Sequence, residues 1–575
     1  MSEHPVEVDI LFVGGAVPAC VAAGRLAAAN PEINILLIEQ GPSNLNEPTV
    51  VTPGLYLSHL VPDSKTALGS KSTATKNREP IVVTGGVLGG GSSINFMMYS
   101  RGAASDYDDW KTPGWTSKDL IPLLQKVTGT IVSYGDYFAQ VATEYLDVCV
   151  SRGIPMTDDI MDLHTGHGCA RLAKYINPKT GRREDAAHRY IHTQSHNRRL
   201  HILTKTLVTR VLFDKNKAIG VEVIGNKNQD PAADQTPRKI IARKLVVVSA
   251  GAIGSPIVLQ RSGLGEASRL SKLGIDIVVD LPGVGANYED HSSCIIPYHV
   301  PDDVETIDPV MEQNKEVIET YLAQFANGKG FLTTNLNDAG SRLRPTVDEL
   351  KEIGPAFSEL WKRQFEPAPD KAVFVQTILN GFIGPRSAVP KGSRFMMVAN
   401  ILAYPVSSGH VYITSADPYS PPDFHAGFLE DQADLEAHVW MYKKSRYEAF
   451  EAYLLGAVNG LFPTGSSAGC VRLEKAHPQG IEDLVYTEED NAALEDWVRE
   501  RSDTTWHSVG SVQMKPKENG GCVDSRLNVY GTINLKVADL SILPSNVGAN
   551  TYSTALLVGE KAALMIAEDL GINIP

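Results

Sequence analysis

A chain of 575 residues is too long for one ordinary hydrophobic core, so two domains are expected. With 43% hydrophobic and 21% charged residues it has the balance of a folded globular protein, not of a disordered one. A formal net charge of −14 excludes the broad basic surface that nucleic-acid binding needs. Cys20, Cys149, Cys169, Cys294, Cys470 and Cys522 are scattered with no C-x-x-C pair, which suits reduced thiols and neither a disulfide framework nor a zinc site. The start "MSEHPVEVDI" lacks the basic-then-apolar pattern of a signal peptide, and the end "GINIP" is not a peroxisomal tripeptide. No apolar run reaches the roughly 18 residues of a membrane span. The expectation is a cytoplasmic protein without a membrane partner.

The first predicted elements are a strand at Val8–Val13, a helix at about Pro18–Ala29 and a strand at Ile33–Glu39. This is a βαβ unit, with parallel strands and a glycine turn at the carboxyl edge of the sheet. Strand, turn and helix are the setting of a G-x-G-x-x-G dinucleotide loop. Gly14 and Gly15 open the turn, but the second and third glycine positions hold Ala16 and Ala19, with Pro18 between them. Alanine at the third position still allows close helix–strand packing. A methyl at Ala16 could cost on the order of 1–3 kcal/mol if the site cannot relax. Pro18 removes one N–H from a helix end that binds phosphate through such groups, although proline is favoured in a first turn. Glu39 follows about 20 residues after the loop, where an acid can accept the hydrogen bonds of a ribose.

Residues 85–95 read "GGVLGGGSSIN", with five glycines in seven positions. Gly89, Gly90 and Gly91 let backbone approach a ligand closely, and Ser92, Ser93 and Asn95 offer hydrogen bonds. His188, His192 and His196 have i, i+4 spacing in a polar stretch, and His201 follows. No acid or cysteine completes a metal set there, so a solvated face and no metal site are expected. Residues 225–240 read as a surface hairpin tip. A second nucleotide-domain segment is expected at 245–265, with a strand at Leu245–Ser249 and a helix starting near Ser255-Pro256. A glycine turn, "LPGVGANYEDH", follows at 281–291, where His291 is expected to orient a loop. Between about 300 and 470 aromatic and proline-rich alternation, as in "GHVYITSADPYSPPDF", predicts antiparallel strands over a pocket. No G-x-S-x-G elbow is present, which disfavours a serine hydrolase.

Three ordered segments, Val87–Trp110, Ser249–Gly265 and Thr504–Met514 with Leu535–Lys561, resemble the glucose–methanol–choline family of flavin oxidoreductases. Within it the similarity is greatest to the alcohol (methanol) oxidases, relative to which the chain looks shorter at about 465–485. The resemblance implies an α/β fold, α+β overall. A doubly wound FAD-binding domain of Rossmann type would be formed by 6–160, 200–300 and 505–575. A substrate domain on an antiparallel sheet would be formed by 161–199 and 301–504. It further implies that His507 is the catalytic histidine and Asn550 the second active-site residue. Asp539 and Thr551 would reach the pyrophosphate and flavin ring, Gly89 to Asn95 would pack along the flavin, and Val208 would meet the adenine.

A histidine of ordinary pKa near 6.5 can take the proton of an alcohol, and an asparagine can orient its oxygen. The expected partners are therefore a small-molecule alcohol and oxygen, with a homo-oligomer left open. Two main enzymatic readings stand. One is an FAD-dependent oxidase of primary alcohols. The other, suggested by Ala16 and Pro18, keeps the fold with impaired or lost FAD binding and uses His507 in a non-redox cyclase, lyase or dehydratase type of reaction. A non-catalytic binding or assembly protein is a third, weaker one.

Overall fold

The computed structural model describes residues 5–73, 78–128, 132–384, 386–452 and 486–574. Cys470 and the 465–485 stretch, where the chain looks shorter than the alcohol oxidases, lie outside the described residues.

The N-terminal run "EVDILFV" forms strand β1 (Glu7–Val13), and all but its first residue are buried. A strand buried on both faces belongs inside a parallel sheet, and β1 pairs in parallel with β2 (Ile35–Ile38) on one side. Helix α1 (Val17–Ala29) makes the crossover, its alanines packing where larger side chains would hold it off the sheet. Strand β3 (Gly168–Arg171) belongs to a second sheet. β4 (Leu200–Leu203) extends the first sheet beyond β2 in parallel. β5 (Thr206–Asp214) and β6 (Lys217–Gly225) form an antiparallel hairpin, and β6 runs antiparallel to β7 (Arg238–Val248). The polar residues between β6 and β7 are the expected hairpin tip. β7 also pairs in parallel with β1, so the sheet runs β4-β2-β1-β7-β6-β5.

Helix α2 (Gly251–Arg261) starts four residues before the Ser255-Pro256 expected to open it. Pro256 therefore lies inside the helix, where it cannot donate to the carbonyl four residues back, that of Ala252. The Ser511 hydroxyl donates to that carbonyl at 2.5 Å instead. A long-range partner thus removes the usual objection to proline in a helix.

The second sheet contains only antiparallel pairs. Its strands are β3, β8 (Ser292–Val300), β9 (Ala339–Leu343), β10 (Phe374–Leu379), β11 (Arg394–Leu402) and β12 (Asp503–Thr504), in the order β12-β8-β11-β10-β9-β3. The chain thus enters this sheet ahead of residue 301. It returns to the first sheet through β13 (Leu535–Val537), parallel to β7, and ends in α3 (Tyr552–Leu570). Gly559 lets α3 lie directly on α1, since a Cβ there would meet Val21 and Pro18. The fold is mixed α/β, a Rossmann-type dinucleotide domain joined to a domain built on an antiparallel sheet. No described helix is long and apolar enough to cross a membrane.

The histidine stretch departs from expectation. Ala187–Ile191 forms a π-turn and His192–Gln194 a 3₁₀ turn, so 188, 192 and 196 do not share a regular α-helical face. His188 bonds the buried Asp185 carboxylate at 2.6 Å and His192 bonds Asn44 at 2.8 Å, both half-buried, while His196 is exposed. Among the described residues no group of acids, histidines and cysteines could hold a metal.

Candidate active site

The β1–α1 turn is built around Gly14, whose φ of +94° is a left-handed conformation that glycine adopts without a steric penalty. Gly14 N–H donates to the Ile38 carbonyl, and Gly15 N–H donates to Glu39 Oε2, both at 2.8 Å. The other Glu39 oxygen accepts from Gly41 N–H at 2.8 Å. Burial pushes the Glu39 carboxyl above the usual range, and these backbone donors pull it back. Glu39 is therefore a strut of the turn while it also faces the cavity. Ala16 caps α1 with φ −64° and ψ 169°, angles open to any residue, and no side chain bonds the helix end. Pro18 is the second helical residue and removes one donor from it.

The glycine-rich segment turns sharply at Gly89 (φ +89°) and Gly90 (φ +53°). Gly89 stands behind the cavity wall and ties the two loops together, its N–H donating to the Gly15 carbonyl at 2.9 Å. Gly90 packs on Ala16, and a Cβ at Gly91 would meet nothing within 4 Å. Arg183 braces the segment from behind: Nη1 donates to the Asn95 carbonyl at 2.7 Å and to Asn95 Oδ1 at 2.8 Å. Its Nε donates to the Val50 carbonyl at 2.7 Å.

One cavity of about 630 Å³ collects Gly14, Gly15, Glu39, Gly90, Gly91, Ser92, Asn95, Val208, Asp539, Thr551, Asn550 and His507 along its wall. Asp539 accepts from Gly251 N–H at 2.9 Å and from the Ser255 hydroxyl at 2.5 Å, so it joins β13 to the start of α2. The far end is apolar, lined by Phe96, Ile295, Leu379, Ala399, Ile401 and Trp506. Trp506 has φ +62°, a strained value for a bulky residue, at the position just before His507.

The His507 ring is held at both nitrogens. Nδ1 lies 2.9 Å from Thr505 Oγ1 and 2.9 Å from His291 Nδ1. The Thr505 hydroxyl hydrogen is already given to the His291 carbonyl, at 3.0 Å, so its oxygen only accepts from the ring. Nδ1 of His507 therefore carries the proton, and Nε2 keeps its lone pair. Asn550 Nδ2 donates to that lone pair at 3.1 Å, while Asn550 Oδ1 is buried with no partner. Burial and the neighbouring His291 hold the His507 pKa well below the ordinary value. His291, fully buried, is pushed down to about 4. Asp290 accepts from the His507 backbone N–H at 2.8 Å and from the Thr504 hydroxyl at 2.5 Å, and burial raises its carboxyl to about 7.

His291 is thus more than a loop residue, because it touches the His507 ring across 216 positions of sequence. Thr505, Asp290 and Trp506 were also not singled out. The only local hint was the acid–histidine pair closing "VGANYEDH".

The chain belongs to the GMC oxidoreductase family: the family's N-terminal model matches residues 8–293 and its C-terminal model residues 405–559. Among relatives, the alcohol oxidase of Candida boidinii is 39% identical, over 99% of this chain and 96% of its own. That of Pichia angusta is 40% identical over the same shares. Together these make the chain an oxidoreductase enzyme. A formate oxidase from Aspergillus oryzae RIB40 shares the fold at a TM-score of 0.83 and 22% identity, each chain covered over 99%.

Proposed function

We propose that the protein is an FAD-dependent alcohol oxidase that converts a primary alcohol to its aldehyde with oxygen as acceptor. The observation carrying this reading is the pair at the cavity wall: an unprotonated His507 Nε2, 3.1 Å from the Asn550 amide nitrogen that donates to it, with the amide oxygen buried and unpartnered. An unpartnered buried acceptor costs free energy unless a ligand satisfies it. The identity to alcohol oxidases over nearly the whole chain supports the same substrate class.

The cavity suits FAD. Its wall carries the uncapped start of α1, the Glu39 carboxylate and the open face at Gly91. Gly14, Gly15, Asp539 and Thr551 would hold the pyrophosphate side, Glu39 and Val208 the adenosine side, and Gly90 to Asn95 the flavin. When bound, FAD supplies the hydride acceptor and the route of electrons to oxygen. The protein's own part is proton handling. The substrate hydroxyl takes the place of the Asn550 hydrogen at His507 Nε2, which accepts the hydroxyl proton, while the displaced Asn550 N–H donates to the substrate oxygen through the charge change. The non-redox alternative is not favoured, since Ala16 sits at backbone angles that carry no strain and Pro18 leaves other N–H groups at the helix end.

The test is the absorption of protein purified without added cofactor, followed by anaerobic addition of primary alcohols of increasing length. Bands near 370 and 450 nm that bleach with an alcohol are expected for a flavin reduced by substrate, on general flavin chemistry. A protein that stays colourless in excess FAD overturns the reading.

The pH profile follows from the depressed pKa of His507. A lowered pKa keeps the ring neutral, and hence basic, to lower pH than an ordinary histidine. Below the ordinary value of about 6.5, kcat/KM is therefore expected to hold, falling only at still lower pH. A profile halved at pH 6.5 or above that persists in Asp290→Asn, which removes the carboxyl raised to about 7, would show that the ring is not buried as described.

A further inference from the structure

Asn550 can serve His507 only if its amide is held in place, yet it lies on an irregular segment before α3. Two buried charged residues, neither of them on the cavity wall, grip that segment at one point. Asp106 Oδ2 accepts from Gly548 N–H at 2.9 Å and from Ala103 N–H at 2.8 Å. Arg342 Nη2 donates to the Gly548 carbonyl at 3.2 Å and to the Arg101 carbonyl at 2.6 Å. Its Nη1 donates to the Thr165 carbonyl at 3.2 Å. Both side chains are buried, at 2% and 1% exposure, and Lys371 Nζ lies 3.5 Å from Asp106 Oδ1. A Cβ at Gly548 would collide with the Tyr404 hydroxyl, so only glycine lets the backbone come this close.

Burying an aspartate and an arginine is costly, and replacing such buried charged groups together by well-packed apolar residues is often no loss to stability. What charged groups do better is fix a backbone N–H and C=O through strong, directional bonds. Gly548 is two residues from Asn550, whose own N–H makes a longer bond, 3.3 Å, to Ser100 Oγ. Asn546 Nδ2 reaches the His507 carbonyl at 3.3 Å, so the same segment also touches the histidine.

We propose that Asp106 and Arg342 are positioning residues. By clamping the two backbone polar groups of Gly548 they set the Asn550 amide against His507 Nε2. This rests on the oxidase reading for its catalytic meaning, but the clamp itself is a statement about geometry.

The experiment is a double-mutant cycle of Arg342→Lys with Asn550→Ala, with Asp106→Ala as the second clamp variant should the first fail to fold. Lysine cannot serve three carbonyls in the planar geometry of a guanidinium. In the parent, Arg342→Lys is expected to lower kcat about tenfold with KM changed less than about threefold, and in the Asn550→Ala background to lower kcat less than about threefold. A merely structural residue would cost the same factor in both backgrounds, and that result overturns the proposal. The crystal structure of Arg342→Lys reads the geometry without any substrate. The Asn550 Nδ2 to His507 Nε2 separation is expected to open beyond hydrogen-bond distance, about 3.5 Å. An unchanged separation sinks the clamp, whereas a parent enzyme that oxidises no alcohol sinks the functional reading alone.

Discussion

His507→Ala is expected to lower kcat/KM for the preferred alcohol about 10³-fold while the protein keeps its FAD. The figure corresponds to about 4 kcal/mol of lost transition-state stabilisation, within the range removed with a general base. It is not smaller because no neighbour can take over the proton. His291 lies behind the ring, bonded to its Nδ1, and Asp290 is committed to the His507 backbone N–H and the Thr504 hydroxyl. Cofactor retention is expected because the turn at Gly14 and the Glu39 strut are built by other strands than the segment carrying His507. The measurement is anaerobic flavin reduction followed by stopped flow, with the 280 to 450 nm ratio as a check on loading. A fall of less than about tenfold would assign the proton to another group.

Much of the architecture was legible because it is written locally. The βαβ unit showed in an apolar run, a glycine turn and an alanine-rich helix within 32 residues, and β1, α1 and β2 lie where that pattern puts them. The features that escaped depend on partners far along the chain. Pro256 reads as a helix start until Ser511 supplies its hydroxyl to the orphaned carbonyl. His188 and His192 read as a solvated face until Asp185 and Asn44 are seen to engage them. His291 gains its meaning only from His507. Ala16 resists a reading from sequence for a different reason. The cost of a methyl depends on φ and on which atoms face it, and neither is visible in a glycine motif.

That point separates two substitutions in the same turn. Gly14→Val is expected to yield protein without bound FAD and with a clearly lowered Tm, whereas Ala16→Gly is expected to shift FAD affinity by less than about tenfold. At Gly14 the backbone has φ +94°, which costs a side-chain-bearing residue roughly 1–2 kcal/mol before any contact is counted. A Cβ there would also collide with the Ser249 carbonyl and lie 2.8 Å from Ala250 Cα. Both are backbone at the end of β7, the strand paired with β1, so neither can swing aside. Relief requires the turn to leave the sheet, and Gly15 would then lose its bond to Glu39. Ala16 differs on each count. Its angles are ordinary, its neighbour across the cavity edge is Gly90, and removing its methyl relieves no collision while it loosens the start of α1. Titration of apoprotein with FAD, followed by flavin fluorescence, measures both. Normal flavin loading in Gly14→Val would mean that this turn does not cradle the pyrophosphate. A gain of more than about tenfold in Ala16→Gly would mean that the alanine does obstruct it.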